Sequence, residues 1–339
     1  MGRKIYGDIQ NGLQQKQANL YHWVEATPEQ KQIIQLGTLD ESVVEEHLQV
    51  IAASLEKIEA ETLGICEVCH EAVDDALLQM DYTATVCLGH FSEEELRQLE
   101  SELELSQVVQ RALLPQQVPV IEGLNIAAFS RPAQIVSGDY FDFVDFKDGT
   151  HGFVIADVSG HGVSAGMLMT SLQTAFHMLV PETNSPLDVL KRINKLYIHN
   201  ISFTTFVTVF LGKFDPRTRT LTYANAGHNS AYLYRTSTKE EIWLHPSGPA
   251  IGLIEGFDTH SADVRLEAGD ILLLYTDGVT EAENSQGASL GDQGLAKIIR
   301  QNTDATPEQL IQKVLRALKD FTEGSPLVDD VTLVVCRAG

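Results

Sequence analysis

Basic residues and long apolar runs are both scarce in this chain of 339 residues. It has 24 lysines and arginines against 47 aspartates and glutamates, and its formal net charge is −23. Such a surface repels phosphate backbones, and no strong basic stripe occurs along the sequence, so we expect no direct nucleic-acid binding. No apolar run reaches the length of a membrane span, and residues 1–8 lack the apolar core of a signal peptide. We therefore expect a cytoplasmic protein without a membrane segment.

Cysteines and phosphate-binding loops are equally sparse. The chain has four cysteines, and their spacing does not suit a disulfide framework in a reducing compartment. No G-x-x-x-x-G-K-[ST] segment occurs, which leaves P-loop nucleotide chemistry without support. Cys336 lies in a terminal apolar run and not in a phosphate-binding loop, so a cysteine phosphatase is disfavoured.

The first 115 residues are acidic and are predicted to be mainly helical, with 21 acidic and 7 basic residues. We divide them into a helical hairpin region (1–63), a cysteine-bearing knuckle (64–91) and a linker helix (92–115). The second hairpin helix carries an apolar stripe, which must pack on the first helix or on another copy of the chain. The linker has a similar leucine and valine seam with one register slip. A coiled coil forming a homodimer and an ordinary helix docked on its own domain both fit that seam.

The remaining part, residues 116–339, alternates runs of strands with blocks of helices. Strands are predicted at residues 124–129, 140–146, 152–158, 205–214, 220–226, 231–234, 271–275 and 331–336. Helices are predicted at residues 164–179, 187–198, 290–301 and 307–321. Grouping of this kind favours a largely antiparallel α+β domain over a doubly wound parallel sheet.

Four acidic clusters lie at the ends of predicted strands: Ser137–Asp142, Ala156–Gly162, Tyr275–Gly278 and Asp329–Thr332. In an antiparallel sheet the start of one strand can lie beside the end of the next, so these clusters can meet at one rim. Carboxylates gathered there repel one another unless a cation lies among them, and an all-oxygen ligand set indicates Mg²⁺ or Mn²⁺. A single Asp-Gly pair is an ordinary turn signal, so the prediction of a metal-dependent hydrolase depends on the combination.

Six segments give this part of the chain a specific resemblance. In sequence order they are Asp139–Asp142 (DYFD), Asp157–Gly162 (DVSGHG), Asn225–Asn229 (NAGHN), Gly248–Leu253 (GPAIGL), Tyr275–Ala282 (YTDGVTEA) and Asp329–Thr332 (DDVT). Together they resemble the metal-dependent PPM-type serine/threonine phosphatases, and most of all the SpoIIE/RsbU branch from bacteria. One departure is Ser137, which stands where many relatives have a second glycine. The resemblance covers residues 121–339 and implies a four-layer α-β-β-α sandwich.

The same resemblance implies a site for two Mn²⁺ or Mg²⁺ ions. It makes Asp157 the bridging ligand and names further ligands: the Val158 carbonyl, Asp277, Asp329, Asp139 and, as second choices, Asp330 and Asp142. Two ions about 3.5–4 Å apart lower the pKa of a bridging water, so that hydroxide attacks phosphorus without a covalent enzyme intermediate. Asp157 and Asp277 are thus the principal catalytic carboxylates that the resemblance implies.

Three further residues are candidates for contact with the substrate. The departing serine oxygen needs a proton, and His161 and His228 are its candidate donors. A histidine beside a glycine turn is also a common capping or packing residue, so both interpretations stay open. Arg131 is a candidate for binding the substrate phosphate, because a guanidinium group suits that geometry.

The knuckle contains a second metal motif. Cys66 and Cys69 are followed, after seventeen residues, by Cys87 and His90. Two pairs with this spacing suit tetrahedral Zn²⁺, and the two-residue spacing favours His90 over His70 as the fourth ligand. Residues 40–95 also resemble the zinc finger of DksA/TraR-type proteins, which bind RNA polymerase and usually have a cysteine at the position of His90. That resemblance implies one structural Zn²⁺ and a helical pair for protein docking.

Together these features predict a cytoplasmic protein-serine/threonine phosphatase whose N-terminal region binds a regulatory protein or dimerises. In RsbU-type relatives the substrate is a phosphorylated anti-sigma-factor antagonist, a STAS-type phosphoprotein, and the resemblance implies that class of substrate here. The alternative is a DksA-like zinc-finger protein that acts on transcription and carries an inactive phosphatase fold. The intact set of acidic ligands favours the enzyme, because a degenerate phosphatase would have lost at least one of them.

Overall fold

The structure is a computed structural model. It describes residues 6–7, 9–14, 17–18, 21, 42–73, 77–78, 83–160, 162–200, 206–255, 257, 259–325 and 327–339. The chain forms two compact units, Met1–Glu100 and Ser101–Gly339. Residues 22–41 of the predicted helical hairpin, with the break between its two helices that Gly37 to Asp40 predict, lie outside the described residues.

The first unit contains helix α1 (Ser42–Glu59), a knuckle ending in a short 3₁₀ turn (Leu88–His90), and the start of helix α2 (Glu93–Leu113). Ile51 and Ser54 on one face of α1 are buried, whereas its charged residues Glu56 and Lys57 are exposed. This is the amphipathic pattern that the sequence predicts for α1. The knuckle has a small core of its own, formed by Cys66, Val73 and Leu78.

The second unit is built from two antiparallel sheets. Its described strands are β1 (Leu124–Arg131), β2 (Asp139–Asp145), β3 (His151–Val158), β4 (Val207–Asp215), β5 (Thr220–Ala226), β6 (Ala231–Arg235), β7 (Glu240–Leu244), β8 (Ala262–Arg265), β9 (Ile271–Tyr275) and β10 (Val331–Ala338). Sheet A has the order β1-β10-β9-β6-β7, and sheet B has the order β2-β3-β4-β5-β8. The helices are α3 (Val163–Leu179), α4 (Pro186–Asn200), α5 (Asp277–Thr280), α6 (Gly291–Arg300) and α7 (Pro307–Phe321).

Three apolar cores stack these elements into four layers. Phe153 and Phe210 of sheet B meet Leu272 and Val334 of sheet A in the core between the sheets. The other face of sheet B packs on α3 and α4, and the other face of sheet A packs on α6 and α7. The central strands therefore bury both faces, because one faces the second sheet and the other faces helices. This confirms the α-β-β-α sandwich that the resemblance implied.

The sequence missed two strands, β7 and β8. Each occupies the end of its sheet, and each has exposed or half-buried polar residues in place of the apolar alternation of the central strands. Edge strands are commonly short and charged, since an exposed apolar edge would invite pairing with another chain. The pattern that identifies a strand is therefore weakest at these positions.

One described helical stretch, Val163–Glu182, is long and apolar enough by composition to span a membrane. It comprises α3 and the 3₁₀ turn that follows. Met169, Leu172 and Phe176 of α3 are buried against sheet B. Packing within the sandwich accounts for these buried apolar residues of the stretch.

Candidate active site

Two carboxylates lie side by side at the edge of sheet B. Strands β2 and β3 are antiparallel, and Asp139 is directly opposite Asp157. Opposite side chains of such a pair project from the same face, about 4.5–5.5 Å apart at Cβ. Phe141 and Ile155 lie two residues further along the same strands and belong to the core between the sheets. Both carboxylates therefore point into the space between the two sheets.

Sheet A supplies the hydrogen-bond donors for Asp139. The hydroxyl groups of Thr276 and Thr332 each donate to its Oδ2 atom at 2.7 Å. Asp139 is 2% exposed, and burial together with the nearby charge of Asp157 raises the pKa of Asp139 well above its usual value. The two threonines thus hold one oxygen of this carboxylate in place, and the carboxylate still experiences the negative charge of Asp157.

A close backbone contact brings Asp277 to the same place. Asp277 follows β9 and begins α5, and the next residue is Gly278. A Cβ atom at Gly278 would overlap the carbonyl of Asp330, so only glycine allows the Asp329–Asp330 backbone to pass here. In the sequence this Asp-Gly pair is an ordinary turn signal. In the structure, the close packing of the site requires glycine at position 278.

Mutual repulsion is strong within this cluster. Burial, followed by the charges of Asp277 and Asp329, raises the pKa of Asp157 to about 7. Burial, followed by Asp329 and Glu281, raises the pKa of Asp277 to about 6. In the described part of the chain, no lysine or arginine forms an ion pair with Asp139, Asp157 or Asp277. Oxygen ligands with excess negative charge and no protein cation fit divalent metal ions.

The Val158 carbonyl lies at the rim of the cluster, directly after Asp157. An added Cβ atom on Gly138 would lie 3.0 Å from that carbonyl oxygen, so glycine keeps the approach open. The Val158 amide donates to the Gly138 carbonyl at 3.3 Å. These contacts hold the end of β3 beside the start of β2, and the ligand role of Val158 stays a prediction.

Asp330 has a different role from that proposed for its neighbour Asp329. Its carboxylate accepts hydrogen bonds from the Ala133 amide at 2.7 Å, the Ser137 hydroxyl at 2.6 Å and the Gly138 amide at 2.8 Å. Three donors occupy three of the roughly four lone-pair sites of this carboxylate, which disfavours it as a metal ligand. Asp330 therefore fastens the segment that leads into β2.

Asp142 is not brought to the cluster. It lies three residues after Asp139 on a strand with a two-residue period, so its side chain projects from the opposite face. There it accepts hydrogen bonds from the Tyr140 hydroxyl at 2.7 Å and contacts His177 of α3 at 2.8 Å. The structure does not support this second-choice ligand.

His228 lies inside the fold, between the sheets. It is 2% exposed, its Nδ1 atom is 2.8 Å from the Thr208 hydroxyl, and its Nε2 atom has no hydrogen-bond partner among the described residues. Burial lowers its pKa to about 4, although the nearby Tyr275 backbone partly opposes that shift. A neutral, enclosed imidazole is a poor proton donor to a substrate. The geometry favours a packing role over the predicted acid role.

The other two substrate-contact candidates have different outcomes. His161 lies outside the described residues, so its role stays a prediction. Arg131 projects from the outer face of β1, where it lines a groove beside α7 with Phe129. The intervening Ser130 faces inward, and its hydroxyl is 3.0 Å from that of Thr332. Strand alternation thus directs Arg131 away from Asp139.

Sequence reasoning missed several residues that order this site. Thr276 and Thr332 were overlooked as donors to Asp139, although each lies within two residues of a predicted ligand. The negative charge of Glu281 helps to raise the pKa values of Asp157 and Asp277. Gln110 was counted only as a linker residue, and its contact with Ser137 could not be read from the sequence.

The cysteine knuckle forms a second candidate site, in the first unit. Ligand atoms of Cys66, Cys69, Cys87 and His90 all lie within 4.8 Å of one another, and His70 is not in this cluster. Backbone amides of Val68 and Cys87 donate to the Cys66 sulfur at 3.4 Å. Burial acts to raise the pKa of Cys66, but backbone donors outweigh it and lower the pKa to about 6. Burial and the neighbouring sulfurs raise the pKa of Cys87 to about 12.

Comparisons with known proteins agree with this geometry. A family model described as Stage II sporulation protein E (SpoIIE) matches residues 147–339. The phosphoserine phosphatase RsbU of Bacillus subtilis is 32% identical over 276 residues, which cover 78% of this chain and 80% of that protein. The SiaA-PP2C domain of Pseudomonas aeruginosa has a TM-score of 0.64 at 23% identity and covers 72% of this chain and 99% of that domain. The RsbU and RsbW domains of Rv1364c from Mycobacterium tuberculosis give 0.56 at 25% identity, covering 67% and 63%.

The two-sheet sandwich with a carboxylate cluster at one edge defines a PP2C-type, metal-dependent serine/threonine phosphatase. Two findings identify the branch of these phosphatases: the family match over residues 147–339 and the similarity to RsbU over most of both chains. The chain belongs to the SpoIIE family.

Proposed function

We propose that this phosphatase uses Asp139, Asp157, Asp277 and Asp329, with the Val158 carbonyl, to hold two Mn²⁺ or Mg²⁺ ions. The observation that carries the proposal is the convergence of Asp157 and Asp277, from different sheets, in a space where burial and mutual charge raise both pKa values. Asp330 is left out of the ligand set because its carboxylate already accepts three hydrogen bonds.

When bound, the two ions supply a nucleophilic water at neutral pH and neutralise charge on the phosphoryl oxygens. The residues of this chain hold the proposed metal ligands in position. Thr276 and Thr332 hold Asp139 through its Oδ2 atom. Gly278 permits the close approach of the Asp277 turn to the Asp329 segment. Preorganisation of this kind lowers the cost of reorganising the site during phosphoryl transfer.

The test compares Asp157→Asn and Asp277→Asn with Asp263→Asn, an exposed carboxylate on β8. Each variant is assayed for Mn²⁺-dependent release of phosphate from p-nitrophenyl phosphate, and its folding is checked by circular dichroism. We expect both site variants to be folded and inactive and the Asp263 control to match the unmodified protein. Undiminished turnover by both site variants would remove the two-metal assignment.

The physiological substrate proposed here is a serine- or threonine-phosphorylated STAS-type anti-sigma-factor antagonist. Support comes from the membership of the SpoIIE family and from the similarity to RsbU, a phosphoserine phosphatase. A phosphorylated STAS-domain antagonist purified from the same organism should lose its phosphate when the enzyme and Mn²⁺ are added. Hydrolysis of p-nitrophenyl phosphate without any action on the STAS protein would reject this substrate and leave the phosphatase assignment intact.

The Cys66, Cys69, Cys87 and His90 cluster is proposed to hold one structural Zn²⁺. Support comes from the convergence of three sulfurs and one imidazole, a ligand set that suits tetrahedral zinc. Protein purified without chelator should contain zinc at equal molar ratio, and Cys69→Ser should lose it. Cys336→Ala, which removes a lone buried cysteine of β10, is the matched control and should keep the metal. Zinc-free native protein would contradict the site.

The N-terminal region is proposed to receive a regulatory protein and to support a homodimer through α2. The support is an exposed apolar surface on this helix, where Leu105 and Val108 are 63% and 62% exposed and Leu99 and Val109 are about half exposed. The double substitution Leu105→Glu and Val108→Glu should convert a dimer into a monomer in light scattering. A monomeric native protein at micromolar concentration would reject the dimer.

The protein is proposed to act in the cytoplasm, in keeping with the packing against sheet B of Val163–Glu182, the one stretch of span-like composition among the described residues. Cell fractionation with an antibody to the full chain tests this. The competing hypothesis, a DksA-like interaction protein with an inactive phosphatase fold, is not favoured, because the acidic cluster is intact and the relatives include phosphoserine phosphatases.

A further inference from the structure

A groove of about 1120 Å³ on the second unit gathers basic residues within a strongly acidic protein. It lies between β1 and α7, on the outer face of sheet A. Four exposed cations line it: Arg131 from β1, and Lys313, Arg316 and Lys319 from α7. The three residues of α7 recur every three positions, so they share one face of the helix.

These cations have no partners among the described residues. None of the four forms an ion pair with a described carboxylate. The acidic residue that lines the groove, Glu308, accepts a hydrogen bond from the Thr306 hydroxyl at the beginning of α7. Two exposed arginines elsewhere in this unit are paired with carboxylates, Arg192 with Asp188 and Arg217 with Asp215. The charge of the groove is therefore available to a partner.

The floor of the groove is apolar. Phe129 of β1 and Leu315 of α7 are half-buried, and Leu318 is buried below them. A cleft with an apolar floor and cationic walls suits an extended peptide that places acidic side chains on the walls. It also has room for the apolar stems of those side chains.

The groove begins at the end of sheet A where Arg131 pairs with Val331, two residues after Asp329. Leu327 lines it and lies two residues before Asp329. Arg131 directly follows Ser130, whose hydroxyl contacts Thr332, and Thr332 donates to Asp139. Val328, between the groove and Asp329, is 95% exposed. A chain with a phosphoserine at the carboxylate cluster would reach α7 by passing over this end of sheet A.

We propose that this groove docks an acidic segment of the phosphoprotein substrate, next to its phosphorylated residue. The proposal rests on the proposed phosphatase function and adds a specificity surface to it. A net charge of −23 repels an acidic substrate in general, so a local basic groove beside the active site gives the substrate one favoured orientation. The same charge disfavours a nucleic acid, whose phosphates would extend beyond the groove onto acidic surface.

The experiment uses four phosphoserine peptides of equal length. Two have a run of glutamates, placed before the phosphoserine in one and after it in the other. The other two have glutamines at the corresponding positions. With Mn²⁺, we expect the full-length enzyme to have a kcat/KM about tenfold higher for one of the glutamate peptides than for the glutamine peptide with its run at the same position. We expect this ratio to decrease as the salt concentration is raised.

The variant Lys313→Glu with Arg316→Glu should lose that preference, and Lys313→Gln with Arg316→Gln should lose part of it. The control is Lys195→Glu with Lys297→Glu, which reverses two exposed lysines on α4 and α6 and should keep it. Turnover of p-nitrophenyl phosphate, which has no flanking segment, should be the same in all variants.

Equal rates on the glutamate and glutamine peptides, or a preference that survives the Lys313 and Arg316 reversals, would overturn the proposal. So would a parallel loss of p-nitrophenyl phosphate turnover in the groove variant, since that would show an effect on the metal centre. Competition by a fluorescent single-stranded oligonucleotide that depends on Lys313 and Arg316 would assign the groove to nucleic acid instead. An unmodified enzyme that cannot hydrolyse p-nitrophenyl phosphate would refute the phosphatase function itself, which is a separate result.

Discussion

Gln110 of α2 makes two hydrogen bonds with the backbone of Ser137. Its Nε2 atom donates to the Ser137 carbonyl at 2.7 Å, and its Oε1 atom accepts from the Ser137 amide at 2.9 Å. The Ser137 hydroxyl in turn donates to Asp330 and lies 3.1 Å from the Asp139 amide. The linker helix is thus joined, through one amide side chain, to the segment that positions two acidic residues of the site.

Replacement of Gln110 by alanine should destabilise the protein, because it leaves two buried backbone groups of Ser137 without partners. We expect a loss of about 1–3 kcal/mol in the free energy of unfolding, measured by urea denaturation. Gln107→Ala is the matched control. Gln107 lies one turn earlier, is half-buried, and makes one solvent-exposed hydrogen bond, to the Ile135 carbonyl. Its loss should cost less than about 0.5 kcal/mol. Equal effects of the two substitutions would contradict the importance of the buried pair.

Metal removal should make stability depend on pH. The folded-state pKa of Asp157 is about 7 and that of Asp277 about 6, both above the ordinary value of 3.8. The folded state therefore holds its protons to higher pH than the unfolded state does, and stability falls as pH rises from about 4 to about 7. Protein treated with EDTA should have a lower Tm at pH 8 than at pH 5, and Mn²⁺ should restore the Tm at pH 8. Asp157→Asn should flatten the dependence, and a Tm independent of pH in the unmodified apoprotein would argue against the repulsion.

Gly278→Ala should damage both stability and activity. The new Cβ atom would overlap the Asp330 carbonyl, so the Asp277 turn and the Asp329 segment must move apart. Overpacking of this kind costs about 1–3 kcal/mol, and separation of the carboxylates should raise the Mn²⁺ concentration needed for half-maximal activity. Gly12→Ala, in an exposed position of a helical stretch with no atom within 4 Å of the added Cβ, should lower neither stability nor activity. Normal Mn²⁺ activation of the Gly278 variant would refute the tight approach.

Substitution of His228 separates a positioning role from acid catalysis. His228 contacts Thr208, which is opposite Asp157 in the β3–β4 pair, and it lies near the Tyr275 backbone that precedes Asp277. His228→Gln should reduce kcat and raise the requirement for Mn²⁺, yet leave the shape of the pH–rate profile unchanged, because the imidazole is already neutral at pH 7. Thr208→Val should give a similar, smaller defect. Disappearance of a limb of the profile in His228→Gln would instead identify His228 as the proton donor.

The sequence predicted most of the central strands and helices of the second unit because their apolar residues follow the period of a strand or a helix. The strands at 152–158 and 271–275, for example, are confirmed nearly to the residue. Strands β7 and β8 were missed because edge strands need no buried alternating face. The acidic residues of the candidate site were found by their positions at strand ends, a local property of the chain.

Residue identity at the strand ends, and the order of the six motifs, were sufficient to predict the family and, through the resemblance, the sandwich and a wider set of candidate carboxylates. Only the tertiary structure distinguished Asp330, held by three donors, from Asp329, and directed Asp142 and Arg131 away from the cluster. It also assembled the basic groove, whose members on β1 and α7 are distant in the chain. The physical reason is that the spacing of residues in the sequence determines which face of a helix or strand each of them occupies. The atoms that this face contacts belong to other segments, and the positions of those segments depend on the packing of the whole fold.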